Sequence, residues 1–238
     1  MGKAEEVSDS IDSTLTTQWD VRVARNVPTP ENVTLRSEAA KLNATFLYAD
    51  LAGSSRIADT CPWSTTAKII KSFLVASTRI ITQRGGVIRS FDGDRVMGIF
   101  IGDFQNTQAC FAAFEINWAV QEVLNKEIRR FDSVRNNGVN VAHCCGIDNG
   151  DVYAIRAGIR DRNDLAWIGE AAGFAAKLSD VRASPYHTYI SSRVKSKAAS
   201  RAEQQSDGTP IWSKDTFNFN GKPRTVYRTI YWCKPGFR

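Results

Sequence analysis

The 238-residue chain is poor in the residues that build metal clusters and in long apolar runs. It has two histidines, His143 and His187, and five cysteines with no CxxC pair. This argues against a zinc site and a disulfide framework and predicts buried free thiols. No stretch approaches the roughly 18 consecutive apolar residues of a membrane span, and the amino terminus is acidic and polar. We therefore expect a cytoplasmic protein in which carboxylates hold any metal ion.

Positive charge is in excess, but it is concentrated near the carboxyl end. The formal charge is +6, from 31 Lys and Arg against 25 Asp and Glu. Ten basic and three acidic residues follow residue 192, so the preceding part is close to neutral. These basic residues are not joined to a recognised RNA- or DNA-binding motif, so nucleic acid is not the expected partner. A solvated basic surface and a surface that attracts a polyanionic ligand both remain possible.

Residues 1–40 are polar, lack a sustained period and contain Val27-Pro28-Thr29-Pro30, which predicts an N-terminal arm. A single domain is expected over residues 41–238. Within it, apolar spacing predicts a strand at 44–49, a helix at 63–83, a hairpin around Asp92-Gly93-Asp94 and a helix at 105–130. Strands are also predicted at 139–147, 152–155, 164–168, 188–190, 216–219 and 225–232, with a turn at Asn149-Gly150 and helices at 170–178 and from 192. The order is that of an α+β, ferredoxin-like βαββαβ core with appended strands.

Two carboxylates are expected at one edge of this sheet. Asp50 ends the first strand and Asp94 sits at the tip of the hairpin, and these strands are neighbours in a ferredoxin-like sheet. Carboxylate oxygens suit Mg²⁺ or Mn²⁺, and two such ions can stabilise the attacking and leaving oxygens of a phosphoryl transfer. The Gly53-Ser54-Ser55 loop precedes a helix whose backbone N–H groups can bind phosphate. The residues alone also allow a plain hairpin turn and a helix cap.

Four segments, at residues 48–55, 85–97, 146–152 and 167–178, have the order and spacing of a known set of motifs. Together they resemble the class III nucleotidyl cyclases, which include adenylate and guanylate cyclases, and the resemblance extends over roughly residues 44–230. It implies two divalent cations, Mn²⁺ or Mg²⁺, which activate the ribose 3′-hydroxyl for attack on its own α-phosphate with release of pyrophosphate.

The resemblance also implies roles for single residues. Asp50 and Asp94 would hold the ions, with the backbone carbonyl of Leu51 as a further ligand. The loop of Gly53, Ser54 and Ser55 would bind the β- and γ-phosphates.

The chain departs from the family on the helix after the last motif. Where the family has a catalytic Asn and, four residues later, an Arg, this chain has Gly173 and Lys177. Lysine supplies charge but not the planar fork of arginine. We therefore expect Arg95 or Lys222 to share the stabilisation of the charge that develops on the phosphates.

Purine cyclases read the base at two positions, which are Ser90 and Ala166 here, the latter beside Trp167. Neither carries a purine-reading side chain, whereas Tyr48 and Asp92 replace a common Phe and an apolar residue. In this the chain resembles the bacterial pyrimidine cyclases of Pycsar anti-phage systems, whose product activates a separate effector. We expect UTP to be converted to cyclic UMP, and CTP is the alternative because the cytosine amine could also donate to Asp92.

The resemblance implies a homodimer in which each active site is shared between the two subunits. Less favoured alternatives are a purine nucleotide cyclase and a catalytically weak, nucleotide-sensing homologue. A diguanylate cyclase or polymerase palm shares the core, but the chain lacks a GGDEF-like hairpin.

Overall fold

The computed structural model describes residues 2–236 and divides the chain into two units. The larger unit comprises Ala44–Gly150 and the residues from Glu170 onward, and the smaller one comprises the residues up to Asn43 together with Asp151–Gly169. Two long strands, β2 (Glu38–Ala52) and β5 (Ala142–Ile159), run through both units. The boundary expected at residue 40 is not tested by this division and stays a prediction.

The larger unit is a mixed sheet with helices on both faces. Its other elements are α2 (Ser54–Thr60), α3 (Trp63–Gln83), β3 (Val87–Asp92), β4 (Arg95–Phe100), α4 (Gln105–Trp118), α5 (Asn125–Glu127), α6 (Asp132–Asn136), α7 (Glu170–Ser179), β7 (Thr188–Ser191), α8 (Ser192–Lys197), β8 (Ser213–Phe219) and β9 (Lys222–Thr229). A π-helical segment, Ala119–Leu124, joins α4 to α5. The strand order is β3-β4-β2-β5-β7-β9-β8, of which the first four strands have the ferredoxin-like arrangement. The expected α+β class is therefore confirmed.

Alternation along the strands places the helices on opposite faces of this sheet. Cys145 and Ile190 belong to the main core, which includes apolar residues of α3 and α4. The neighbouring Cys144 and Tyr189 belong to a second core that includes Phe174 of α7. Because successive side chains of a strand point to opposite faces, α7 covers the face opposite α3 and α4.

The backbone of α7 lies very close to β5 at a glycine. A Cβ atom added to Gly146 would lie 2.1 Å from the carbonyl oxygen of Ala175 and 2.4 Å from the amide nitrogen of Ser179. A side chain here would therefore push the helix away from the strand, so the sequence needs glycine at this point.

The smaller unit contains α1 (Lys3–Thr16), β1 (Asp20–Val23) and β6 (Arg162–Ile168). Strand β1 pairs in parallel with the start of β2, and β6 pairs antiparallel with the end of β5. Val33, Ala40 and Ala154 form its small core, and Trp167 packs against them.

The turn expected at Asn149-Gly150 was wrong, because β5 continues through both residues. The Asn149 side chain is buried and bonded instead of turning the chain. Its Nδ2 donates to the carbonyl of Ala44 at 3.1 Å and to Oγ1 of Thr45 at 3.2 Å, and Lys197 donates to its Oδ1 at 2.7 Å. The hairpin lies further on, where Asp161 has a φ of 65°.

All five cysteines are buried and free, as expected. Within residues 2–236, no helix has the length and apolar character to cross a membrane.

Candidate active site

The two candidate metal ligands lie at adjoining points of β2 and the β3–β4 hairpin. Asp50 is opposite Arg95 in the antiparallel pairing of β2 with β4. Asp94 sits in the turn after Gly93, whose φ of +61° suits glycine, and its carbonyl accepts a 3.4 Å hydrogen bond from the amide of Leu51. The hairpin thus places Asp94 beside the end of the strand that carries Asp50.

The Asp50 carboxylate is buried and already faces a cation. Its side chain is 11% exposed and accepts a hydrogen bond from Nη2 of Arg182. Burial raises the pKa of Asp50, and the neighbouring charge of Asp94 adds to the rise, while Arg182 opposes it. The Asp94 charge acts on Asp50 because the two aspartates lie close together, and a buried carboxylate of this kind requires a positive partner.

Two carboxylates suit magnesium or manganese better than zinc. Among the described residues, no group of three or more His, Cys, Asp or Glu side chains could hold a metal ion. Magnesium is usually bound by one or two carboxylates, with waters and substrate phosphates completing its shell. The donor set of Asp50, Asp94 and the Leu51 carbonyl therefore fits a hard divalent cation that a phosphorylated ligand helps to hold.

A second cluster surrounds Tyr48, which lies two residues before Asp50 on β2. The guanidinium carbon of Arg95 lies 5.5 Å from the ring centre of Tyr48. Arg95 also donates to Asp92 at 2.7 Å and to Asp180 at 3.2 Å. Burial raises the pKa of the Tyr48 phenol, so this hydroxyl stays protonated at neutral pH. The result is a polar cluster with an aromatic face, a guanidinium donor and a carboxylate acceptor.

Helix α7 carries both other predicted catalytic positions, and it brings Lys177 to this cluster. Lys177 donates to Asp180 at 3.4 Å, and Asp180 also accepts from Arg95. Gly173 is exposed, and a Cβ atom added there would meet nothing within 4 Å. Packing does not require glycine at this position, in contrast to Gly146.

The Gly53 loop lies beside a cavity of about 370 Å³. Gly53 has a φ of +74° and precedes α2, which begins with Ser54 and Ser55. Helix α2 has only seven residues, so positive charge near the loop comes mainly from side chains. Arg56 and Arg182 both line the cavity, which is large enough for a small phosphorylated ligand.

Comparison with known proteins identifies the family. No protein-family model matches the chain. A uridylate cyclase of Rhodovulum sp. (strain MB263) is 40% identical over 98% of this chain and 98% of its own length. A uridylate cyclase of Xanthomonas perforans is 37% identical over 96% of this chain and 97% of its own length. The chain belongs to the uridylate cyclase family.

A solved structure supports the same fold for this uridylate cyclase family member. The guanylyl cyclase Cya2 superposes with a TM-score of 0.68 at 17% sequence identity, over 83% of this chain and 96% of Cya2. The expected class III nucleotidyl cyclase fold is therefore confirmed. In this chain, the motifs at residues 48–55 and 85–97 bring Asp50 and the turn of Asp94 to adjoining points of the sheet.

The other four predicted substrate-binding residues have no described contact with this cluster. Ser90 is half-buried on β3, two residues before Asp92 and opposite Met97, which in turn pairs with Tyr48. Ala166 and Trp167 are on β6 in the smaller unit. Lys222 is exposed at the start of β9, and β5 and β7 separate β9 from β2 in the sheet, which amounts to about 14 Å. Their roles stay predictions.

Sequence reasoning missed Arg182 and Asp180. Both follow α7, where they touch Asp50 and Arg95 respectively. The available signal was weak: Arg182 is the one Lys or Arg between Lys177 and the strand at Thr188. Its pairing with a residue 132 positions earlier depends on the tertiary fold.

An ion-pair network fixes the start of α7. Asp148 is fully buried on β5, and Arg193 donates to it from Nε at 3.1 Å and to Glu170 from Nη2 at 2.9 Å. Arg224 also donates to Glu170, at 3.0 Å. Since Glu170 is the first residue of α7, these bonds set the position of the helix that carries Gly173 and Lys177.

Proposed function

We propose that the chain is a uridylate cyclase that converts UTP to 3′,5′-cyclic UMP and pyrophosphate. The observation that carries this proposal is the adjacency of Asp50, a metal-type carboxylate on β2, to the cluster that Tyr48 of the same strand forms with Arg95 of β4. The family relationship points to the same reaction. In it, the ribose O3′ forms a bond to the α-phosphorus, the bond to pyrophosphate breaks, and the hydroxyl proton is released.

Asp50, Asp94 and the backbone carbonyl of Leu51 would hold two divalent cations, Mn²⁺ or Mg²⁺. When bound, such ions supply Lewis-acid stabilisation to the attacking and leaving oxygens. The burial of Asp50 lowers the competing access of water and strengthens its interaction with a cation.

Tyr48, Asp92 and Arg95 would bind the base. Uracil presents carbonyl oxygens on both sides of an N3–H group, so it needs donors and an acceptor close together. The Arg95 guanidinium and the Asp92 carboxylate, 2.7 Å apart, supply these two functions. The Tyr48 ring adds an aromatic surface and narrows the base site relative to a phenylalanine, and Ser90, two residues before Asp92 on β3, would line the same site.

The phosphates would bind to Gly53, Ser54 and Ser55 beside the cavity. Lys177 and Lys222, with the open position of Gly173, would contribute from a second subunit in a homodimer that has two shared sites. Lys177 carries the charge that stabilises the α-phosphate as negative charge develops on it.

In this proposal the cyclic nucleotide acts on a separate effector, as in an anti-phage alarm, and the enzyme works in the cytoplasm. CTP is the alternative substrate, because the exocyclic amine of cytosine could also donate to Asp92.

The first prediction concerns the product. Purified protein with Mn²⁺ is incubated separately with UTP, CTP, ATP and GTP, and the cyclic product is identified by mass spectrometry. We expect cyclic UMP to form fastest. Preferential formation of a cyclic purine nucleotide would contradict the proposal, and preferential cyclic CMP would establish the alternative.

The same assay tests the metal ligands. Asp94→Asn should lower product formation by roughly two orders of magnitude, because the neutral amide binds a divalent cation poorly. Asp132→Asn is the matched control: Asp132 is exposed and pairs with Arg135 on α6, so its loss should leave the rate unchanged.

A further inference from the structure

Arg182 lies three residues after the end of α7, and its side chain reaches Asp50, the proposed metal ligand. Its Nη1 donates to the carbonyl of Ser179 at 2.7 Å and to that of Val181 at 3.1 Å. Its Nη2 donates to Asp50. The two Nη1 bonds hold the head group near the carboxyl end of α7, whereas the Nη2 bond is the one directed into the active site.

The basic side chains of the site differ in the carboxylates that neutralise their charge. Arg95 pairs with both Asp92 and Asp180, and Lys177 pairs with Asp180. Within residues 2–236, the only carboxylate ion-paired with Arg182 is Asp50. If a divalent cation takes over Asp50, the guanidinium of Arg182 loses its counter-ion and is repelled by the new charge.

A second anion is then needed close by, and the cavity indicates where it would be. Arg182 lines the cavity beside Gly53. A triphosphate held by the Gly53 loop would bring oxyanions to the same space. Arginine suits this role because its planar fork can bind a phosphate through two parallel hydrogen bonds.

We propose that Arg182 is an internal competitor of the divalent cation: it neutralises Asp50 in the metal-free enzyme and transfers to the terminal phosphates when metal and substrate bind. The phosphate half of this inference rests on the proposed function. The competition half rests on the contact with Asp50 alone. Arg182 is then a catalytic residue for the leaving pyrophosphate, and it couples metal binding to nucleotide binding.

The test measures binding with Arg182→Gln. Mn²⁺ affinity without nucleotide is measured from the electron paramagnetic resonance signal of free Mn²⁺. Binding of inorganic pyrophosphate at saturating Mn²⁺ is measured by calorimetry. We expect Mn²⁺ alone to bind about tenfold more tightly, since its competitor is gone, and pyrophosphate to bind about tenfold more weakly. A residue that only supports the fold would weaken both.

Arg130→Gln is the control for loss of an arginine, because Arg130 lies in an exposed pair with Glu127 away from the site. It should change neither affinity. Arg182→Lys keeps the charge but cannot make all the bonds of the fork, so about threefold tighter Mn²⁺ binding is expected. This second variant keeps the test decisive if Arg182→Gln unfolds.

Unchanged or weaker Mn²⁺ binding in the folded variant would overturn the proposal. Tighter Mn²⁺ binding with unchanged pyrophosphate binding would overturn the transfer to phosphate. Neither measurement needs turnover. A wild-type enzyme that fails to make cyclic UMP would therefore refute the proposed function separately.

Discussion

His143 is a buried histidine that the proposed reaction does not use. It is 2% exposed, and its ring stacks on that of His187 with centroids 5.2 Å apart and planes 5° apart. Both ring nitrogens lack a hydrogen-bond partner among the described residues. Burial lowers the pKa of His143 to about 3, and the charges of His187 and Arg182 act in the same direction.

This shift predicts acid sensitivity of the fold. The ordinary pKa of histidine is 6.5, and that of His143 in the fold is about 3. Between these two pH values, His143 binds a proton in the unfolded chain but not in the folded one. Stability is therefore present above pH 6.5 and is lost as pH falls, by about 1.4 kcal/mol per pH unit for one proton. His143→Phe should reduce the slope of unfolding free energy against pH by that amount, as measured by urea denaturation from pH 7 to 4.5.

His187→Phe provides the comparison. Burial lowers the pKa of His187 as well, but His187 is only partly buried. Its replacement should therefore reduce the slope of unfolding free energy against pH less than His143→Phe does. An unchanged slope in His143→Phe would show that His143 is protonated in the folded enzyme or already neutral in the unfolded chain.

At the scale of residues, the sequence predicted those parts of the site that local motifs carry. Asp50 and Asp94 each occur at a strand end or an Asp-Gly turn, and such signals lie within a few residues. Arg182 lies in a loop, and only its contact with Asp50, which is distant in sequence, places it in the site. No local pattern encodes that contact.

At the scale of elements, the close approach of α7 to β5 predicts that a side chain at Gly146 destabilises the fold. Gly146→Ala should destabilise the larger unit by about 1–3 kcal/mol, because its Cβ would meet the helix backbone, which cannot rotate aside. The unfolding free energy in urea measures the effect.

Gly173→Ala is the matched substitution on the same helix. Its Cβ would meet nothing within 4 Å, and alanine is the better helix former, so stability should rise by about 0.5–1 kcal/mol. Equal losses in the two variants would contradict the distinction between a glycine required by packing and one that packing leaves open.

Elements with long amphipathic patterns were predicted well, and elements that depend on a buried polar contact were not. The helix predicted at 63–83 coincides with Trp63–Gln83. Asn149-Gly150 has the composition of a turn, yet Asn149 bridges two elements inside the sheet and the strand continues. Helix Lys3–Thr16 was not predicted, and its described residues bury nothing, so no core-facing period marks it.

At the scale of the whole molecule, the basic carboxyl-terminal part is partly neutralised within the fold. Among its described residues, four basic side chains pair with carboxylates: Arg193, Lys195, Arg224 and Arg228. The two nearest α7, Arg193 and Arg224, act on Asp148 and Glu170. The excess charge thus contributes to positioning the helix of Lys177, and a nucleic-acid surface is not needed to explain it.

The last prediction concerns how two copies of the chain divide the reaction. In the proposed homodimer, Asp50 of one subunit works with Lys177 of the other. Asp50→Ala and Lys177→Ala chains should each be inactive as pure dimers. Mixed dimers, isolated through two different affinity tags, retain one intact site and should show about half of the wild-type rate of cyclic UMP formation.

The structure makes this test informative, because Lys177 is also linked through Asp180 to Arg95 within a single chain. If Lys177 serves the site of its own subunit, each mixed dimer contains one site without Asp50 and one without Lys177. No activity is then restored. Rescue therefore requires that Lys177 leaves Asp180 and acts across the interface, whereas inactivity of verified mixed dimers would assign the whole site to one chain.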